Sequence, residues 1–110
     1  MNANMRTHMP KRTAATKSEI KKFFISHKKW SLKNGKLKRD LIFKDFREAF
    51  AFLTQVALLS EKLDHHPEWS NVYNKVSVEL ITHDAGPAVS DLDFAMADCI
   101  DACLKSNYKA

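Results

Sequence analysis

The sequence predicts an α+β fold: an antiparallel sheet with helices packed on one of its faces. Three observations carry this. Two capping pairs, Thr16-x-x-Glu19 and Asp45-x-x-Glu48, each open a run of apolar residues at helical spacing. The pair Asn34-Gly35, suited to a turn with positive φ, separates two short runs of strand character. From Asn71 onward, Val72, Val76, Val78 and Leu80 fall on one side of an extended segment, with Tyr73, Lys75, Ser77 and Glu79 on the other. The order is helix, hairpin, long helix, strand, loop and final helix. A fourth strand is placed around Ala85–Ala88 or at the hairpin's edge, which gives a four-stranded sheet with three helices on one side.

The first helix follows Thr16, with Ile20, Phe23, Phe24 and His27 on one face and Lys21, Lys22, Lys28 and Lys29 on the solvated remainder. His27 reads as a partly buried surface histidine and not as a ligand. Trp30–Leu32 and Leu37–Phe43 are the hairpin strands, with Arg39 interrupting the apolar face of the second. The second helix runs from Asp45 to about Leu63. Between Ala49 and Leu59, nine of eleven residues are apolar, too many for a helix with a single buried face. Phe46, Phe50, Leu53 and Ala57 are expected to meet the sheet. Phe52 and Leu59, on the other side, would then face water, which predicts a homodimer or homotetramer built through this 45–63 helix. Ser90 caps the last helix with Asp93 at its third position, and Val89 and Phe94 stand where a hydrophobic staple would form.

A chain of 110 residues allows one domain, here residues 16–110, preceded by a basic tail, residues 1–15, that is disordered or only partly ordered. No stretch approaches the roughly 20 apolar residues of a membrane helix, and no signal segment is visible. No membrane partner is expected, and the protein is read as cytoplasmic. The nucleus is the alternative, and targeting to an organelle by the basic tail is disfavoured. The net charge of +5 and pI near 9.3 raise the question of nucleic acid. Lys21, Lys22, Lys28, Lys29, Lys33, Lys36, Lys38 and Arg39 carry no interleaved exposed aromatics and no known motif, so a basic solvated face is the better reading. Cys99 and Cys103 are four residues apart on the last helix, beside Leu92 and Met96. They read as small core residues in a reducing compartment.

The chemistry concentrates in Glu61–His83. Asp64, His65 and His66 stand directly before Pro67, which disfavours helix at His66 and so sets a helix-to-strand junction there. A third histidine, His83, closes the segment. Three histidines with acids nearby suggest proton transfer, since imidazole both gives and takes a proton near neutral pH. Adjacent residues in extended backbone point apart, so His65 and His66 are poorly placed to chelate one ion, and no metal is assigned. Glu61, one helical turn before His65, could orient an imidazole, and Asp64 could pair with His65. If residues 71–83 form one strand of about a dozen residues, at roughly 3.3 Å each His83 lies tens of ångströms from His66. Only a neighbouring strand or a second chain could then bring them together.

The runs EKLDHHPEW and NVYNKVSVEL, followed by THDAG and the downstream Asp93, resemble the pterin-4a-carbinolamine dehydratases, also known as a dimerisation cofactor of a homeodomain transcription factor. The resemblance covers Ile20 to Leu104, and the loop after His83, DAGPAVS with Pro87, is slightly longer than the family pattern. It implies a four-stranded sheet with three helices on one side and dehydration of a 4a-hydroxytetrahydropterin with no cofactor. It also implies His65, His66 and His83 as the catalytic set: His65 and His83 move protons, and His66 positions the pterin. Glu61, Asp64, Pro67, Trp69, Thr82 and Asp84 complete the expected substrate-binding surface. Trp69 is read as a packing anchor in preference to a stacking platform. Asp93, already explained as a capping acid, is left out of the catalytic set. The competing reading is a non-enzymatic interaction module with a transcription-factor partner.

Overall fold

The computed structural model describes residues 10–107. Thr16 caps the first helix, α1 (Lys17–Ser26): its hydroxyl accepts the Glu19 amide, and the Glu19 carboxylate accepts the Thr16 amide in return. Two antiparallel strands follow, β1 (Ser31–Lys33) and β2 (Lys36–Ile42), joined through Asn34 and Gly35. Both turn residues have positive φ, 53° and 78°, as a tight hairpin of this length requires. Asp45 then caps α2 (Phe46–Leu63) by accepting the Glu48 amide. The reciprocal bond is displaced by one residue, because Glu48 accepts the amide of Lys44 and not that of Asp45.

Beyond α2 the fold departs from a single long strand. The chain forms β3 (Glu68–Val72), turns through Tyr73 and Asn74, and returns as β4 (Lys75–Leu80). Tyr73 takes the left-handed conformation at φ 53° without being glycine. Neighbouring amides support it: the Asn71 side chain donates to the carbonyls of Tyr73 and Lys75, and that of Asn74 donates to Phe43. The fourth strand is therefore β3, and it lies neither at Ala85–Ala88 nor beside the first hairpin. Residues 83–85 form one 3₁₀ turn, and Ala88 makes only an isolated bridge to Thr82. The last helix, α3 (Asp91–Asn107), completes the chain.

The sheet is fully antiparallel in the order β1-β2-β4-β3. Val76, Val78 and Leu80 of β4 and Leu37 of β2 point into one core with Phe23, Phe52, Val56, Met96 and Ile100 from the three helices. The α+β fold and the three-helix face stand as expected from sequence. Arg39, the odd residue on the inner face of β2, is buried against α3. There it meets Asp101 at 2.5 Å, and the Trp30 indole donates to the same carboxylate. A buried charge with a partly buried partner replaces an apolar contact at this position.

The faces of α2 are partly the reverse of the expected ones: Leu53 is buried as expected, but the aromatic residues change places. Phe52 is fully buried and Leu59 packs partly against the core, while Phe46, Phe50 and Leu58 stand exposed at 46%, 56% and 68%. The core-facing stripe is Ala49, Phe52, Leu53, Val56 and Ser60, an i, i+3, i+4 set. Among the described residues no helix is long and apolar enough to cross a membrane.

The tail expectation falls partly outside the described residues. Within them, the segment from Lys11 to Ala15 lies against the start of α3: Ala15 donates to the Val89 carbonyl, and Leu92 donates to that of Lys11.

Candidate active site

The site begins where α2 ends. Asp64 is left-handed (φ 52°, ψ 47°), and its amide and that of His65 return to the carbonyls of Glu61 and Ser60. This reversal sends two adjacent histidines into opposite environments. His65 turns inward and is 7% exposed, whereas the His66 side chain stays open to solvent at 59%.

His65 Nε2 lies 2.5 Å from Asp93 Oδ1. The other oxygen of Asp93 accepts the Thr82 hydroxyl at 2.8 Å and the Ser90 amide at 2.9 Å, and the Thr82 and Ser90 hydroxyls meet at 2.6 Å. Asp93, Thr82 and Ser90 are buried, and among the described residues no buried side-chain nitrogen or oxygen lacks a partner. Such a saturated network holds its members in one arrangement. With a carboxylate facing Nε2, that nitrogen carries a proton and donates it, so the edge bearing Nδ1 is the one left to meet a ligand. Asp93 thus does two things at once: it caps α3 and orients His65. Local capping fully accounted for an acid at this position, which is why sequence reasoning set it aside. The signal for its second role was the downstream acid in the family pattern.

His83 reaches the same place because β3 and β4 form a hairpin. Glu68 pairs with Glu79, so the chain entering β3 at His66 and the chain leaving β4 at Ile81 lie at one end of the sheet. One cavity of about 220 Å³ joins His65, His66, Thr82 and His83, with Asp64, Ile81 and Asp84 on its rim. A second chain is not needed to bring the histidines together. His83 is exposed, and its side chain makes no hydrogen bond among the described residues. His66 Nε2 lies 2.6 Å from Glu61 Oε2, so Glu61 orients His66 and not the preceding, inward-turned His65.

Other members of the expected binding surface are placed differently. The Asp64 carboxylate is 91% exposed and faces Arg12 at 3.8 Å, leaving His65 to Asp93. Trp69 is 43% exposed on the edge strand opposite Val78 and is not a packing anchor within this chain; neither it nor Pro67 lines the cavity. Arg12, which the sequence reading assigned to a tail, does line it. No group of three or more His, Cys, Asp or Glu side chains is arranged to hold a metal ion among the described residues. Among the described residues no larger groove gathers three histidines; one of about 390 Å³ carries a single histidine–carboxylate pair, His27 with Asp98. The one between α1 and β1, about 500 Å³, is walled by Ile20, Phe24 and Leu32 with lysines at its edge.

Comparison with known proteins gives the chain's family. The family model described as pterin 4 alpha carbinolamine dehydratase matches residues 13–103. A protein of Synechococcus sp. (strain WH7803), provisionally named a pterin-4-alpha-carbinolamine dehydratase, is 62% identical over 73 residues, 66% of this chain and 77% of its own length. One from Prochlorococcus marinus (strain NATL2A), with the same provisional name, is 42% identical over 90 residues, 82% of this chain and 94% of its own. The crystal structure of a transcriptional coactivator/pterin dehydratase from Brucella melitensis superposes with a TM-score of 0.77 at 42% identity, covering 82% of this chain and 97% of that one. The match spans the sheet, the helices and every histidine of the cavity, and the chain therefore belongs to the pterin 4 alpha carbinolamine dehydratase family.

Proposed function

We propose that the protein is a hydro-lyase that dehydrates a 4a-hydroxytetrahydropterin to the quinonoid dihydropterin, as a step of pterin recycling. The observation that carries this reading is the meeting of His65, held by Asp93, with an unengaged His83 in one cavity. The reaction needs one acid and one base. A protonated imidazole delivers its proton to the 4a-hydroxyl, the C4a–O bond breaks, and water leaves. The N5–H bond supplies the electron pair of the new C4a=N5 bond, and its proton passes to a neutral imidazole. Protons balance over the cycle, and no redox partner is consumed. His65 and His83 take the two proton-transfer roles, and His66, steadied by Glu61, positions the ring. The test is turnover of 4a-hydroxytetrahydropterin by the purified protein, before and after dialysis against a strong chelator. Turnover unaffected by the chelator supports the reading; no turnover, or a loss restored by zinc, rejects it.

A second reading rests on the exposed apolar stripe of α2. Phe46, Phe50 and Leu58 are the surface on which we place a homodimer or homotetramer, and a protein partner would use the same stripe. The coactivator half of the Brucella melitensis protein's name makes such a partner worth testing here.

A further inference from the structure

The segment before α1 does more than trail from the domain. Lys11 and Ala15 are hydrogen-bonded to the backbone at Val89 and Leu92, and Ala14 bridges Ser90, so this strap lies along the residues that cap α3 and hold Asp93. From the strap, the Arg12 guanidinium crosses to the other half of the site. Its Nη2 donates to the Asp64 carbonyl at 2.9 Å, the carbonyl of the peptide leading into His65. Arg12 is thus anchored at both ends, and it lines the cavity with its side chain 41% exposed. Among the described residues it is, besides the histidines, the only cationic residue of that lining, where the other charged groups are Asp64 and Asp84.

An arginine carries five N–H donors in a rigid fork, and the contact to Asp64 occupies only part of it. We propose that Arg12 is a substrate-recognition residue, presenting the rest of its fork to a ring carbonyl oxygen of the bound heterocycle. This rests on the dehydratase reading and extends it. Arg12 binds the oxygen-bearing edge, and the histidines move protons elsewhere on the ring. Its work is done equally in the ground and transition states, so its loss appears in KM and leaves kcat in place.

The experiment compares steady-state kinetics of wild type, Arg12→Ala, Arg12→Gln and Arg12→Lys on 4a-hydroxytetrahydropterin, with guanidinium chloride titrated at low millimolar concentration. Arg12→Ala and Arg12→Gln should raise KM on the order of 10-fold, the scale of a lost charged hydrogen bond, with kcat changed less than about twofold. Arg12→Lys should recover only part of the loss, because an ammonium lacks the fork. Free guanidinium should lower KM in Arg12→Ala and leave wild type unchanged, and it is the confinement of the loss to KM that a purely structural role would not give. Unchanged KM in Arg12→Ala and Arg12→Gln, or a fall in kcat with KM intact, overturns the assignment while leaving the dehydratase reading in place. A wild type that does not turn over the substrate rejects both.

Discussion

At the scale of single residues, the site separates three histidines by what each nitrogen already holds. His65→Ala and His83→Ala should each lower kcat by roughly 10²-fold or more, the usual contribution of a positioned acid or base. His66→Ala should act mainly on KM; stopped-flow or steady-state turnover distinguishes these outcomes. His27 makes a different prediction. Its Nδ1 lies 2.8 Å from the Phe23 carbonyl and its Nε2 2.6 Å from Asp98, so both nitrogens face acceptors, which suits the imidazolium. Burial pushes its pKa down, but the bonds to Asp98 and Phe23 and the charges of Asp98 and Asp101 outweigh that and leave it raised. A raised folded-state value means the stabilisation is fully present below the ordinary imidazole value of about 6.5. It is lost as pH climbs through the folded-state value. The urea midpoint of His27→Gln should therefore fall further below wild type at pH 5.5 than at pH 8.5, with turnover unaffected.

At the scale of elements, what the sequence made readable depended on whether local chemistry was enough. The Thr16 capping box, the Asp45 cap and the Asn34-Gly35 turn announce themselves through residues that do one job, and each stands where it was expected. The β3–β4 turn does not. Tyr73-Asn74 contains no glycine, and the alternation of Val72, Val76 and Val78 continues through it in phase, so one strand and a hairpin look alike. That ambiguity also produced the apparent separation of His66 from His83. A left-handed tyrosine costs on the order of 1–2 kcal/mol, and asparagine visits that region more readily. Tyr73→Asn should raise the melting temperature by a few degrees, measurable by circular dichroism; a decrease would mean that the phenol ring makes contacts worth more than the strain. The faces of α2 were unreadable for another reason. A helix apolar on nearly every side offers two plausible buried stripes, and only the sheet selects between them.

At the scale of the whole molecule, the exposed stripe of α2 is the unsettled surface. Burying one large apolar side chain is worth roughly 1.5–3 kcal/mol, and closed symmetry repeats each contact. Phe50→Glu with Leu58→Lys should therefore yield a smaller species than wild type in light scattering at micromolar concentration. A wild type of 12.6 kDa would show that the stripe does not pair copies of this chain. Phe52, which the sequence placed on the exposed side, does not belong to that surface. Fully buried, it contributes to the core of the chain itself, and Phe52→Ala should cost about 3–5 kcal/mol of folding stability whatever the assembly.

The strap and the helix start that it covers also set when the site can exist. His65 and Asp93 are 28 residues apart in the chain, and Arg12 and Asp64 are 52 apart. Each contact closes a long loop whose entropy must be met before the contact contributes anything. The helices can nucleate early from their own caps, but the carboxylate that orients His65 reaches it only when the first turn of the last helix docks. On the proposed reading, catalytic competence is therefore a property of the folded whole, and a nascent polypeptide that has not yet delivered Asp93 carries all three histidines without the arrangement that would make them a site.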